Sequence, residues 1–366
     1  MRLAFDATPL LGTGTGVATF TRGALRAVCA RGDVEVAAYA FSWRGRGGLR
    51  DVVPPSVRVV SRPMAAAPLL RVWSRSDALA AELWTGAVDV VHGTNFVVPP
   101  TRRAAAVVTV HDLTAVRFPE LCTPTSRLYP GLVRRAVGRG AWVHTPSRAV
   151  AEEVVEMLGA PAERVVAVPH GVDGPSPVTG AAVVEGRYVL ALGTAEPRKA
   201  LPDLVNAFTR LAADRHDLRL VVAGPVGWAE DDLRDAVNRS PVAARILRLE
   251  RVSDADRDAL LRGAAAFAYP SRYEGFGLPT LEAMVAGVPV VTTTAPALVE
   301  VVGDAAVLVP VGDVDALADA LARVLDDTAL AGALVARGHR RAAQFSWDAC
   351  ADGLVRLYAA AIDGKG

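Results

Sequence analysis

The chain has 366 residues, 51% of them hydrophobic, which is enough to bury two cores and suggests two domains. A formal charge of +1 excludes any global electrostatic case for nucleic acid. Three widely spaced cysteines (Cys29, Cys122, Cys350) form neither a metal pattern nor a disulfide framework, which fits a reducing cytoplasm.

Met1-Arg-Leu-Ala-Phe-Asp6 reaches an acid at once and reads as a first strand, not a signal peptide; no apolar run is long enough to span a bilayer. Further strands are predicted at Val34–Tyr39, Val57–Val60, Val88–His92, Ala106–His111, Ala141–His144 and Arg164–Val168. Helices fall between them, at Val17–Arg31, Arg71–Trp84, Thr125–Arg139 and Ser147–Leu158, the last with Ser147 as a good N-cap. The Gly- and Pro-rich stretch from Gly171 to Gly180 is the best linker. A second alternation follows: strand Tyr188–Leu192, helix Leu201–Ala213, strand Arg219–Ala223, helix Asp231–Asn238, strand Arg245–Leu249 and helix Asp254–Arg262. Strand Ala264–Tyr269, a helix opening at Pro279, strand Val288–Thr292, strand Val307–Val309, helix Val314–Leu325 and an amphipathic helix after Ser346 complete the chain. Such alternation argues for an α/β chain of two doubly wound domains, with ligands at the C-terminal ends of the strands.

Several motifs interrupt this pattern. Gly12-Thr-Gly-Thr-Gly16 follows the first strand, but its spacing is not that of a dinucleotide fingerprint, and the next strand ends on aromatic residues where a ribose-binding acid would stand. An NAD enzyme is therefore disfavoured, and a plain turn stays open for this loop. His111 closes an apolar strand, with Asp112 placed to orient it or to bind locally; His92 stands at an equivalent height, His170 lies by the linker, and His144, His216 and His339 read as structural or surface residues. Residues 1–180 carry 20 Arg against 14 Asp and Glu, a net of +6 that leaves −5 for the remainder. Arg127, Arg134, Arg135 and Arg139 share one helix without an acid, and Arg71, Trp73 and Arg75 cluster nearby. Such faces suit an anionic lipid surface or simply water. Only two lysines occur, and Lys199 lies in Gly193-Thr-Ala-Glu-Pro-Arg-Lys199, a loop at the end of a strand whose Arg198 and Lys199 suit a diphosphate.

The most informative stretch is Tyr269-Pro-Ser-Arg-Tyr-Glu-Gly-Phe-Gly-Leu-Pro-Thr-Leu-Glu282. It sets Glu274 and Glu282 eight residues apart around a Gly-Phe-Gly turn at the start of a helix, whose free amides favour an anion. Gly275 and Gly277 let the backbone approach a ligand, and paired carboxylates accept from sugar and ribose hydroxyls. The plainer alternative makes Glu282 a complement to the helix dipole and Glu274 a solvated loop acid.

The segment resembles the E-x7-E signature of retaining GT-B glycosyltransferases, family four (group 1), and the Glu-Pro-Arg-Lys loop and Gly227-Trp228 resemble mannosyltransferases of surface polysaccharide assembly. The resemblance implies two Rossmann-like domains facing across a cleft. The two domains are residues 1–172 for the acceptor and 187–345 for the nucleotide sugar, joined by a hinge at 173–186 and followed by a helix at 346–366 crossing back to the first domain. It implies donor contacts at Gly193, Thr194, Arg198, Lys199, Glu274, Gly275, Phe276, Gly277, Leu278 and Glu282, with Glu274 on the sugar and Glu282 on the ribose. Catalysis would fall to His111, Glu274, Arg198 and Lys199, and the acceptor to Gly14, Thr15, Gly16 and Asp112. No metal and no cofactor beyond the donor itself is implied. Two departures stand out: Thr194 where some members carry an arginine, and Ala200 where many have Asn or Gly.

The expected activity is transfer of a hexose, from GDP-mannose ahead of UDP- or dTDP-sugars, to a glycan, glycolipid or polyprenyl-linked acceptor. The setting would be the cytoplasm, at the inner face of the membrane. A nucleotide-sugar epimerase of the same fold would release a rearranged sugar without an acceptor. A non-catalytic sugar-nucleotide-binding partner is the other rival, and intact His111, Lys199 and Glu274 argue against it.

Overall fold

The computed structural model describes residues 1–12, 16–43, 45–60, 62, 64–174 and 183–365. The chain forms two compact units, one of Met1–Gly171 with Phe345–Gly366, the other of Val172–Gln344.

The strands of the first unit are β1 (Arg2–Asp6), β2 (Glu35–Tyr39), β3 (Arg58–Val60), β4 (Val90–Gly93), β5 (Ala105–Thr109), β6 (Trp142–Thr145) and β7 (Val165–Ala167). They form one parallel sheet in the order β3-β2-β1-β4-β5-β6-β7. Helices cover both faces, so the strand centres are mostly apolar, as a buried parallel sheet requires, with His92, Thr109 and His144 as buried polar exceptions. Successive side chains nevertheless serve different cores: Leu3 and Phe5 pack on one face, Ala4 on the other.

The helix Trp347–Asp363 packs on the Leu3 and Phe5 face. Ser346 caps it, its hydroxyl accepting from Ala349 N at 3.1 Å. Trp347, Cys350, Ala351, Leu354, Leu357, Tyr358 and Ala361 recur every three or four residues and turn one stripe into the core. Each fully buried leucine contributes about 1.5–3 kcal/mol. Gly23, in the helix Gly16–Ala30, must be small, because a Cβ there would overlap the indole of Trp347.

The second unit holds β8 (Arg187–Leu192), β9 (Leu218–Ala223), β10 (Ile246–Leu249), β11 (Ala266–Tyr269), β12 (Val290–Thr293) and β13 (Ala306–Val309). Its sheet is also parallel, in the order β10-β9-β8-β11-β12-β13. The chain steps outward from β8 to β10, then returns to the other side of β8 as β11. The loops after β8 and β11 therefore diverge at a topological switch point, where open α/β sheets bind ligands.

Several boundaries differ from those read in the sequence. The helix expected at Arg71–Trp84 is instead Ala66–Trp73 followed by a short turn, Glu82–Thr85. Pro68 belongs in its first turns, which draws the start upstream, and Leu79 takes a left-handed φ of 62° that breaks the path. The helix expected at Thr125–Arg139 begins as a 3-10 turn and becomes α-helical at Tyr129–Gly138. The structure adds the helices Pro296–Val302 and Thr328–Ala342, the second capped by Asp327 accepting from Leu330 N at 2.9 Å, and the single turns Leu49–Val52 and Thr114–Arg117. Among the described residues no helix is long and apolar enough to cross a membrane.

Candidate active site

The site is built at the switch point of the second unit. Beyond β8 the chain turns through Gly193 and Thr194 into a single 3-10 turn, Pro197–Lys199. Ala200 then takes φ 50° and ψ 37° and opens the helix Leu201–Leu211. That left-handed backbone costs an alanine about 1–2 kcal/mol, which is the physical reason glycine or asparagine suits the position. From β11 the chain runs through Ser271 to Glu274. Arg272 N donates to Arg198 O at 2.7 Å, so the two loops are stitched together.

This brings Arg198, Lys199 and Glu274 into contact. Arg198 Nη1 lies 2.9 Å from Glu274 Oε2, and Lys199 Nζ lies 2.5 Å from Glu274 Oε1. Arg198 Nε also pairs with Glu196 at 2.8 Å. Lys199 and Glu274 are both buried. Burial pushes the Glu274 carboxyl up, but Arg198 and Lys199 outweigh it and hold it at about 2. Burial, then the charge of Arg198, pulls the Lys199 ammonium down, while Glu274 and Glu196 support its charged form.

Gly277 caps the helix Leu278–Val285 with φ 97° and ψ 41°, and a Cβ there would strike Leu298. Glycine is required on both counts. Gly275, Phe276 and Leu278 are buried in the same turn. Glu282 lies within that helix and keeps separate company: Arg257 Nη1 is 3.5 Å from its Oε1. Burial pushes this carboxyl up, only partly offset by Arg257. The two signature glutamates thus differ in charge environment, one held fully ionised and the other easier to protonate.

In the first unit His111 follows β5 and is buried. Its Nε2–H donates to Thr94 O at 2.8 Å, since a carbonyl only accepts, and burial lowers its pKa. The neutral ring keeps Nδ1 as an acceptor. Asp112 has a local task, accepting from Thr114 N at 2.9 Å at the start of Thr114–Arg117. Gly14 and Thr15 lie outside the described residues, as do 175–182 of the linker; Gly16 is exposed at the start of its helix.

His92 and His144 belong to the interior. His144 Nε2–H donates to Val168 O at 2.9 Å, so its Nδ1 accepts from the Thr109 hydroxyl at 2.9 Å. Thr109 in turn accepts from His92 Nε2–H at 2.8 Å, and His92 Nδ1 accepts from the Tyr358 hydroxyl at 2.7 Å. One directed chain of hydrogen bonds therefore runs from the terminal helix across β4, β5 and β6. It needs neutral histidines, and burial depresses both, His144 to about 3.

The basic surfaces are less open than their sequence suggests. Arg135 and Arg139 both pair with Asp77, Arg134 donates to Met157 O, and Arg127 donates to Pro119 O. Trp73 is a core residue, 1% exposed, so Arg71, Trp73 and Arg75 do not form a surface cluster. Among the described residues no three His, Cys, Asp or Glu converge to hold a metal ion.

Residues 14–174 match the model of Glycosyltransferase Family 4, and residues 186–327 match that of Glycosyl transferases group 1. The chain is 34% identical over 282 residues to O-antigen chain mannosyltransferase B of Escherichia coli, a match covering 74% of each chain. The chain belongs to the family-four, group 1 glycosyltransferases. A phosphatidyl-myo-inositol mannosyltransferase of Mycolicibacterium smegmatis is 35% identical to this glycosyltransferase over 212 residues, 56% of this chain and 53% of that one. The fold of this chain is that of sucrose-phosphate synthase from Thermosynechococcus elongatus, with a TM-score of 0.75 at 19% identity over 98% of both chains. The same holds for HepE of Anabaena, solved in complex with UDP and glucose, with a TM-score of 0.72 at 18% identity over 98% and 100%. The glycosyltransferase is thus a GT-B protein of two parallel, Rossmann-like sheets, seven- and six-stranded among the described residues.

Three residues around the family's signature escaped the sequence reading. Tyr269 and Glu196 both contact the charged cluster, and Arg257 holds Glu282. Tyr269 carried no signal beyond a strand end, and Arg257 sits in an acid-rich helix where a solvated role was the natural reading.

Proposed function

We propose that this glycosyltransferase transfers a hexose from a nucleoside-diphosphate sugar to a hydroxyl of a glycan, glycolipid or polyprenyl-linked acceptor, with retention of configuration. The observation that carries the reading is the Arg198–Lys199–Glu274 cluster at the switch point, in which Lys199 and Glu274 are buried and Arg198 is half-buried. Two cations held against Glu274, in the loop that leads into the helix Leu278–Val285, suit a departing diphosphate, and the ionised Glu274 suits sugar hydroxyls. The acceptor oxygen bonds to the anomeric carbon on the face the diphosphate leaves. The anomeric carbon–oxygen bond to the diphosphate breaks, and the acceptor's proton passes to the departing phosphate oxygen. Arg198 and Lys199 stabilise the negative charge that grows there, an electrostatic contribution of the kind that dominates such reactions. With two fixed cations in that role, we infer a reaction that needs no divalent metal, so activity should survive EDTA.

GDP-mannose is favoured because the E. coli and Mycolicibacterium relatives are mannosyltransferases by name. UDP-sugars are the second choice, since HepE was solved with UDP. A thermal-shift series with GDP-, UDP- and dTDP-sugars, followed by turnover with candidate acceptors, tests the reading. Stabilisation by none of them would overturn it. Release of a rearranged free sugar without an acceptor would point to the epimerase instead.

A further inference from the structure

Tyr269 is the last residue of β11 and is buried. Residues two apart on a strand share a face, and its ring lies over Phe267, centroids 6.0 Å apart and planes 19° apart. That stacking accounts for an aromatic ring but not for a hydroxyl. The hydroxyl lies 2.5 Å from Lys199 Nζ and 3.0 Å from Glu274 Oε1. An ammonium only donates and an ionised carboxylate only accepts, so the phenol accepts from Lys199 and donates to Glu274. Lys199 also donates to the same Oε1, which closes a triangle of three hydrogen bonds. The ammonium lies 4.8 Å from the Tyr269 ring centroid, within reach of a cation–π attraction.

Lysine has a flexible four-carbon stem, and one salt bridge does not fix where its ammonium points. A second partner on a rigid ring does. A phenol suits the place because it satisfies a cation and an anion together without adding charge. Phenylalanine there would keep the stacking and leave both ions one bond short in a buried site.

We propose that Tyr269 is a positioning residue of the donor site, its hydroxyl setting the Lys199 ammonium and the Glu274 carboxylate relative to each other. This rests on the reading that Lys199 takes the diphosphate and Glu274 the sugar. When a diphosphate draws on the donors of Lys199, the phenol still supplies a hydrogen bond to Glu274.

The test uses the full chain and follows release of nucleoside diphosphate from GDP-mannose and UDP-glucose across pH, with GDP and UDP binding measured by calorimetry. Tyr269→Phe should lower kcat about ten- to a hundredfold, the worth of one hydrogen bond to a charged group, and change the donor KM only a few-fold. Lys199 is faced by Arg198, Glu196, Glu274 and Tyr269. Losing the phenol removes support for its charged form, so the alkaline limb of kcat/KM should move to lower pH. Phe267→Leu is the packing control: it should lower Tm and leave that limb in place. Wild-type kcat and an unmoved limb in Tyr269→Phe would overturn the proposal, as would the same limb shift in both variants. If the unaltered enzyme binds neither GDP nor UDP, the donor-site reading falls, and the proposal with it.

Discussion

Replacing Glu274 with glutamine removes one charge and almost no volume. In the folded protein Glu274 titrates at about 2 against an ordinary 4.5. At roughly 1.4 kcal/mol per pH unit, that difference is worth about 3 kcal/mol at neutral pH. Breaking a buried pair by removing one partner costs a comparable amount, about 3–5 kcal/mol. In Glu274→Gln the two cations Arg198 and Lys199 would lose the carboxylate they share, while Glu196 stays paired with Arg198. For a unit of this size about 3 kcal/mol corresponds to a fall of roughly 6–12 °C in Tm. A nucleoside diphosphate should bind the variant more tightly than the unaltered enzyme, by about tenfold for each 1.4 kcal/mol recovered, because it no longer competes with the carboxylate for the cations. Sugar transfer should nevertheless fall steeply, since the group proposed to hold the sugar has lost its charge. Differential scanning fluorimetry with and without GDP or UDP, alongside turnover, reads all three quantities. An unchanged Tm would refute the ion-pair reasoning, and unchanged GDP and UDP affinity would show that the diphosphate does not sit at Arg198 and Lys199.

Lys199→Met should raise the donor KM at least about tenfold, a charge-assisted contact being worth about 1.5–3 kcal/mol; unchanged donor kinetics would remove Lys199 from the site. Acid should destabilise the first unit well before it reaches Glu274. His144 is held at about 3 and His92, His111 and His170 are also depressed, so the unfolded chain takes up protons below about 6.5 that the folded chain refuses. Their contribution is complete above that pH and is lost as pH falls, by up to about 1.4 kcal/mol per histidine per pH unit. A Tm constant from pH 7 to 4 would contradict this. Tyr358→Phe deprives His92 Nδ1 of its donor and should cost about 1–3 kcal/mol while GDP and UDP binding stay unchanged; a shift in that binding would show a role beyond stability.

The alternation of strand and helix, the apolar strands of parallel sheets and the glycine-rich turn after Tyr269 were legible because each is a short-range property. Period, capping and backbone freedom act over a few residues, and Gly277 at φ 97° is where the turn demanded a glycine. The same locality explains the misplaced helix at 71–84, where the left-handed Leu79 gave no warning in its side chain. Strand order is not local. Only the return of β11 beside β8 brings Glu274 against Lys199, 75 positions earlier, and sets the hydroxyl of Tyr269 between them. Only the docking of the terminal helix turns Tyr358, His92, Thr109 and His144 into one directed chain of hydrogen bonds, joining residues up to 266 positions apart. The sequence by itself determined which segments become strands and which loop carries the carboxylates and cations. Which of those charges meet, and which polar side chains share a buried proton, was decided by tertiary packing, because a buried charge takes its state from whatever the fold sets beside it.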